Sequence, residues 1–190
     1  MPLRLSADTV QEALDRADSR HWTRNPPRSM RARLTYLLKH YEPAALARRL
    51  QTTPPYLDAL LGAQQVPEGH PLHQAVEREI VRIWQPRVRR RAHTTILANG
   101  GQMTLSFRAW LGFTATAGSS DDPRLRFLSL HLDAPYPERL FTARRIGAPE
   151  SELQAILNDA LSTCYFHRGR PAHPRESVSL DRIDFLEFYY

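Results

Sequence analysis

The segment Leu111-Gly-Phe-Thr-Ala-Thr-Ala-Gly-Ser-Ser-Asp-Asp-Pro-Arg124 gathers four aliphatic hydroxyls, Thr114, Thr116, Ser119 and Ser120, on small residues and closes on adjacent carboxylates, Asp121 and Asp122. A hydroxyl in such a setting is an accessible nucleophile. The same Gly-Ser-Ser-Asp-Asp-Pro string is also ordinary turn chemistry, in which Ser and Asp side chains satisfy nearby backbone amides. Residue types alone leave both readings open. Other chemistries find little footing. His70 and His73 have the wrong interval for a zincin pair, and neither HExxH nor CxxC occurs, so no metal site is expected. Asn99-Gly100-Gly101 reads as a turn rather than a phosphate loop, and nothing resembles a nucleophile elbow. The single cysteine, Cys164, cannot form an intrachain disulfide and is expected to be a small buried apolar residue.

Charge supplies the second chemical signal. The 190 residues carry a net charge of +6, and 25 of the 26 basic side chains are arginine. Their distribution is uneven: residues 1–93 hold 16 basic against 9 acidic residues, and residues 94–190 hold 10 against 11. A polyanionic partner for the first half is the expectation. Arg82, Arg87, Arg89, Arg90 and Arg91 crowd one end of an apolar-periodic stretch. Such a run is either a solvated face favoured by a helix C-terminus or a stripe that tracks phosphates.

These residues must be positioned by two kinds of element. A short amphipathic helix is predicted within residues 6–22, opened by Ser or Asp, with Val10, Leu14 and Ala17 on one face and Asn25-Pro26-Pro27 beyond its end. A second follows Ser29 and a third begins near Pro43. After the turn 51–55, a short helix from Tyr56 to Leu61 stops at Gly62. With Ala45 and Leu50 inside and Leu57 and Leu60 packing back, the third and fourth helices have helix-turn-helix spacing; a plain helical bundle is the bland alternative. Arg48, Arg49, Thr52, Thr53 and Tyr56 become the DNA-facing candidates there. Asp58 and the lack of Arg or Lys in the would-be recognition helix predict poor base readout. A long helix over 71–92 is expected to kink at Pro86. From His93 onward the character changes. Thr94–Leu97, the Asn-Gly-Gly turn and Met103–Leu111 read as a β-hairpin, Leu125–Leu132 as a third strand, 136–145 and 150–166 as helices, and Val178–Tyr190 as a last strand. The predicted fold is α+β, with a helical DNA-binding half over 1–92 and, over 93–190, an antiparallel sheet with two packed helices. No apolar run could span a bilayer, and no export signal is recognised at the N-terminus, so a cytoplasmic location without a membrane partner is expected.

Several segments, in their order and spacing over roughly residues 28–188, resemble the Tpg family, the telomere terminal proteins of actinomycete linear chromosomes and plasmids. They are Ile83-Trp84-Gln85-Pro86 with its arginine tail, Gly112-Phe113-Thr114-Ala115 through Gly118-Ser-Ser-Asp-Asp-Pro-Arg124, Leu140-Phe141, Ala160-Leu161 through Tyr165-Phe166, and Ile183-Asp184-Phe185-Leu186-Glu187-Phe188. The resemblance implies a nucleoid-associated protein joined by a phosphodiester to the DNA 5′ end of a linear replicon. It would prime end-patching synthesis alongside a telomere-associated protein and a DNA polymerase. It would be a substrate for deoxynucleotidylation rather than an enzyme, with no cofactor of its own and divalent metal supplied by the polymerase. The family's linking threonine falls where this sequence has Ser120; Thr114, Ser119 and Thr116 are the alternative acceptors. A transcriptional regulator, with helix-turn-helix and C-terminal dimerisation module, is the rival reading.

Overall fold

The computed structural model describes residues 7–62, 66–67, 69–114, 124–166 and 177–190. Helices begin where the sequence offers a cap or a proline. Thr9 Oγ1 accepts from the Glu12 amide at 3.2 Å to open α1 (Val10–Ser19), and Ser29 Oγ accepts from the Ala32 amide at 3.3 Å to open α2 (Met30–Leu37). Prolines occupy the first turns of α3 (Pro43–Arg49), α4 (Pro54–Leu61) and α5 (Pro71–Ile83), where a missing N–H costs nothing. The expected break at Pro86 falls at Trp84 and Gln85. Gln85 adopts φ 48°, and α6 (Pro86–Ala98) starts afresh. Trp84 Nε1 and Gln85 Nε2 both donate to the Arg24 carbonyl, at 3.0 and 3.1 Å.

The chain is α+β, and it divides into two units at places other than the expected boundary after residue 92. One unit is Trp22–Val88; the other joins Met1–His21 to Arg89–Tyr190. The helical unit buries Leu34, Leu37, Leu46, Ala47, Leu50, Leu57, Leu60, Leu72, Val76 and Ile80 in one cluster. The mixed unit contains a three-stranded antiparallel sheet in the order β2-β1-β3, with β1 Met103–Thr114, β2 Arg124–Leu132 and β3 Ser177–Tyr189. Strict alternation on β1 turns Met103, Leu105, Phe107, Ala109 and Leu111 to the core. Against them pack α1, α7 (Tyr136–Ile146) and α8 (Glu150–Leu161), the last continued by a π-helical turn, Ser162–Phe166, that carries the half-buried Cys164. On β3 the inward set is Val178 and Leu180, then Leu186 and Phe188. Register shifts opposite Arg108/Ala109 and Trp110/Leu111 reset the phase.

The predicted hairpin over Thr94–Leu111 is not formed. Thr94–Leu97 completes α6, and Asn99-Gly100-Gly101 ends that helix: Gly100 has φ 89°, Gly101 has φ 63°, and the Gly101 amide donates to the Ile96 carbonyl at 2.9 Å. Asn-Gly-Gly provides positive φ, which a helix terminus uses as readily as a β-turn.

The mixed unit is tied together by one buried polar cluster. Asp18, on α1, is 1% exposed. Its Oδ2 lies 2.8 Å from Arg89 Nε and 3.3 Å from Arg144 Nε. Its Oδ1 lies 2.6 Å from His93 Nε2 and accepts from the Tyr190 hydroxyl at 2.8 Å. Arg144 also pairs with Asp15, and the His93 ring stacks on Phe141 with centroids 3.8 Å apart. Arg89→Gln takes a cation from a buried carboxylate and is expected to lower stability by about 3 kcal/mol or more. The urea midpoint should fall at unchanged slope, and a midpoint equal to the parent's would contradict a structural role for Arg89. Burial, together with Asp18, holds the Tyr190 phenol well above its ordinary pKa. The stabilisation of a phenol raised in this way is complete below its unfolded value of about 10 and is lost as pH climbs from there toward the folded value. Burial pushes Arg144 down to about 10, a shift of opposite sign whose main cause does not depend on the phenol. The quantity to read is therefore a difference: between about pH 9 and pH 11 the parent should lose more stability than Tyr190→Phe. Parallel curves would contradict this.

Candidate nucleic-acid interface

In the helical unit, α3 and α4 form a helix-turn-helix pair. Leu46, Ala47 and Leu50 are the inward residues of the first helix and its end, and Leu57 and Leu60 answer them from the second. Ala45, expected inside, is only half-buried. Gln51 stands at the turn position that often carries glycine, and it takes φ 53°, the left-handed conformation that glycine would adopt without cost. The Thr52 amide closes the turn on the Ala47 carbonyl at 2.9 Å.

The candidate DNA contacts separate by burial. Arg48 and Thr53 are exposed, and Thr52 and Tyr56 are half-buried. The Arg49 guanidinium lies 5.2 Å over the Tyr41 ring and 3.7 Å from Glu79, with its side chain still open to solvent. Arg82 is engaged differently from the expected phosphate contact. It donates to the Tyr41 hydroxyl at 3.0 Å and to Glu79 at 3.1 Å, and burial, with Glu79 beside it, raises the Tyr41 phenol. On α6 the arginine run splits. Arg87, Arg90 and Arg91 are exposed at three- and four-residue intervals on one helix, whereas Arg89 is 9% exposed and bound to Asp18. Arg89 is therefore a structural cation, and of the five arginines in the run Arg87, Arg90 and Arg91 are the exposed ones.

Basic residues that sequence reasoning passed over lie on and beside α2. Arg28, Arg31 and Lys39 are exposed, and a shallow groove there is lined by Ser29, Arg31, Thr35, Tyr36 and Lys39. The signal was present as the four-residue spacing of Arg31, Thr35 and Lys39, which aligns them along one side of a helix. Helix α4, by contrast, presents Pro55 and Asp58 outward and offers no basic residue. The pattern suits backbone contact more than base readout.

The hydroxyl-bearing segment lies mostly outside the described residues, which include neither Thr116, Ser119 and Ser120 nor Asp121 and Asp122. Thr114 is the last residue of β1 and pairs with Ser177 of β3. Two residues earlier, a Cβ on Gly112 would come within 2.7 Å of Asp181 Oδ2 and Ser179 Oγ, so glycine admits these β3 side chains across the strand end. Among the described residues no three His, Cys, Asp or Glu side chains group to hold a metal ion, and no helix is long and apolar enough to cross a membrane.

No protein-family profile matches the chain, and neither a curated protein nor a solved structure does so.

If Arg87, Arg90 and Arg91 meet phosphates, their joint replacement by glutamine should flatten the salt dependence of duplex binding by roughly 0.9 log units per contact, about 2.7 for all three. Fluorescence anisotropy over a salt series reads this slope, and an unchanged slope would remove these residues from the interface.

Proposed function

We propose that the protein is a DNA-binding terminal protein of linear replicon ends, carrying the DNA 5′ end on a side-chain hydroxyl and priming end-patching synthesis. The observation that carries DNA binding is the helix-turn-helix pair accompanied, in the same unit, by the exposed Arg28, Arg31, Lys39 and Arg48. A basic surface with a poor recognition helix favours positioning on the sugar-phosphate backbone. Support for priming comes from the match of residues 112–124 to the terminal-protein pattern, and from the connection that residues 115–123 make between two neighbouring antiparallel strands. A priming hydroxyl must enter a polymerase site where a primer 3′-OH would lie, which suits small residues joining strands.

In the proposed step the acceptor hydroxyl oxygen attacks the α-phosphorus of a deoxynucleoside triphosphate. The phosphodiester forms as the α–β bridging bond breaks and pyrophosphate leaves, and the hydroxyl proton passes to solvent or a polymerase base. The polymerase supplies the divalent metal that activates the hydroxyl. The chain is then primer and substrate rather than enzyme, with a telomere-associated protein and a DNA polymerase as partners and the nucleoid as its place of work.

With a cognate end-patching extract, divalent metal and labelled deoxynucleotide, the protein should acquire one nucleotide within residues 112–122, on Ser120. The label should survive detergent and heat. Ser120→Ala should abolish labelling while leaving duplex binding intact, and Ser120→Thr should retain it. Labelling that is lost in Thr114→Ala but kept in Ser120→Ala moves the acceptor to Thr114. Dispensability of Thr114, Thr116, Ser119 and Ser120 together rejects priming and leaves a DNA-binding regulator.

A further inference from the structure

The sheet of the mixed unit has two unlike faces. One is the apolar core face. On the other, residues directly opposite one another fall into rows across β2, β1 and β3: Phe127, Arg108 and Phe185 form one, Leu125, Trp110 and Arg182 the next, and His131, Thr104 and Tyr189 a third. Phe127 is 73% exposed and Tyr189 46%, and Leu125 is also exposed. Such rings usually belong in a core, and each leaves apolar surface in water.

Guanidiniums accompany the rings. Arg182 lies over Trp110 at 5.3 Å and Arg20 over Tyr189 at 4.5 Å, while Arg108 stands in the row between the two phenylalanines. Strands sit about 4.8 Å apart, so Phe127 and Phe185 are separated by about 10 Å, and rows repeat about every 7 Å along the strands. Three carboxylates share this face, Asp181 lying over Gly112 and accepting from the Ser179 hydroxyl. Asp184 is 3.5 Å from Arg108 and 3.7 Å from Arg182, and Glu187 pairs with Arg20. Three guanidiniums thus face three carboxylates. Each guanidinium has five N–H donors, so one ion pair leaves most of them available to a further acceptor.

We propose that this open sheet face binds single-stranded nucleic acid, with bases stacking on Phe127, Trp110 and Tyr189 and phosphates meeting Arg108, Arg182 and Arg20. The residue composition selects this occupant. Rings and arginines also mark protein interfaces, but here Trp110 and Tyr189 each lie beneath a guanidinium, the pairing that a stacked base and its own phosphate would use. A single strand brings a ring for each exposed ring and an anion for each cation. A duplex hides its base faces in its own stack. The inference goes beyond the terminal-protein reading and stands without it, since it needs neither a priming hydroxyl nor a partner polymerase.

The test uses the full chain and three labelled probes: an oligodeoxythymidine, an oligouridine and a DNA duplex of equal length. The parent should bind the oligodeoxythymidine, and the oligouridine arm tells whether RNA serves equally. Phe127→Ala should weaken single-strand binding by roughly 5-fold to 100-fold, Phe127→Trp should keep it, and neither should move duplex binding. Phe127 is exposed, so the melting temperature should stay at the parent's value. Arg108→Gln should flatten the single-strand salt dependence. The proposal is overturned if the parent binds neither oligonucleotide, if Phe127→Ala binds as tightly as the parent, or if its loss on duplex equals that on single strands. Loss of self-association in Phe127→Ala with oligonucleotide binding intact also overturns it, and assigns the face to a second copy.

Discussion

The Asp18 carboxylate, withdrawn from solvent near the end of the first helix, meets two guanidiniums, an imidazole and a phenol that come from three distant stretches of the chain. A buried carboxylate without such partners would cost several kcal/mol, so every one of these elements must be in place before the charge can be enclosed. This requirement explains why residues 1–21 belong with the C-terminal unit rather than with the helices that follow them. It also makes the register of α6 strict. Arg89 and His93 are one helical turn apart, and both must reach Asp18. Arg90 and Arg91 are thereby turned outward.

The same arrangement divides labour within one run of arginines. Sequence shows four guanidiniums in five positions, Arg87 to Arg91, with nothing to separate them. The packed unit takes one for its own cohesion and leaves three in water, where they can meet phosphate. Substitutions across that run therefore act on two quantities at once, stability through Arg89 and electrostatics through its neighbours. A further remote contact shows similar logic: Glu150 of α8 accepts from the Val10 and Gln11 amides at 2.6 and 3.0 Å, closing the N-terminus of a helix 140 residues earlier.

The sheet is asymmetric for a simple reason. A three-stranded sheet with helices packed on one face has a core on that face alone, and its period-2 alternation commits every second residue to the other side. Natural antiparallel sheets usually put polar residues there. Here Phe127, Trp110, Phe185 and Tyr189 occupy those positions among arginines. Folding does not require rings on this face, and stacking gives them a use.

Much of the architecture was legible locally because local rules decide it. Ser29 as a cap, prolines 43, 54 and 71 in first turns, the alternation on Met103–Leu111 and the apolar periodicity of 150–161 each specify an element without help from elsewhere. The helix-turn-helix pair followed from the same signals, although Gln51 in the place of a turn glycine counted against it. Three things waited for the tertiary structure. Asn99-Gly100-Gly101 supplies positive φ to either a hairpin or a helix end, and only the burial of Ile96 and Leu97 beside the core selected the helix. The unit boundary depended on an ion cluster whose members are up to 172 residues apart. The choice among equivalent arginines depended on which one faced a buried carboxylate. Sequence thus determined what each short stretch can become, because caps, prolines and periodicity act within a few residues. Tertiary structure decided which polar groups are enclosed and which remain for a ligand, because the cost of burying a charge is set by partners that only the folded chain brings together.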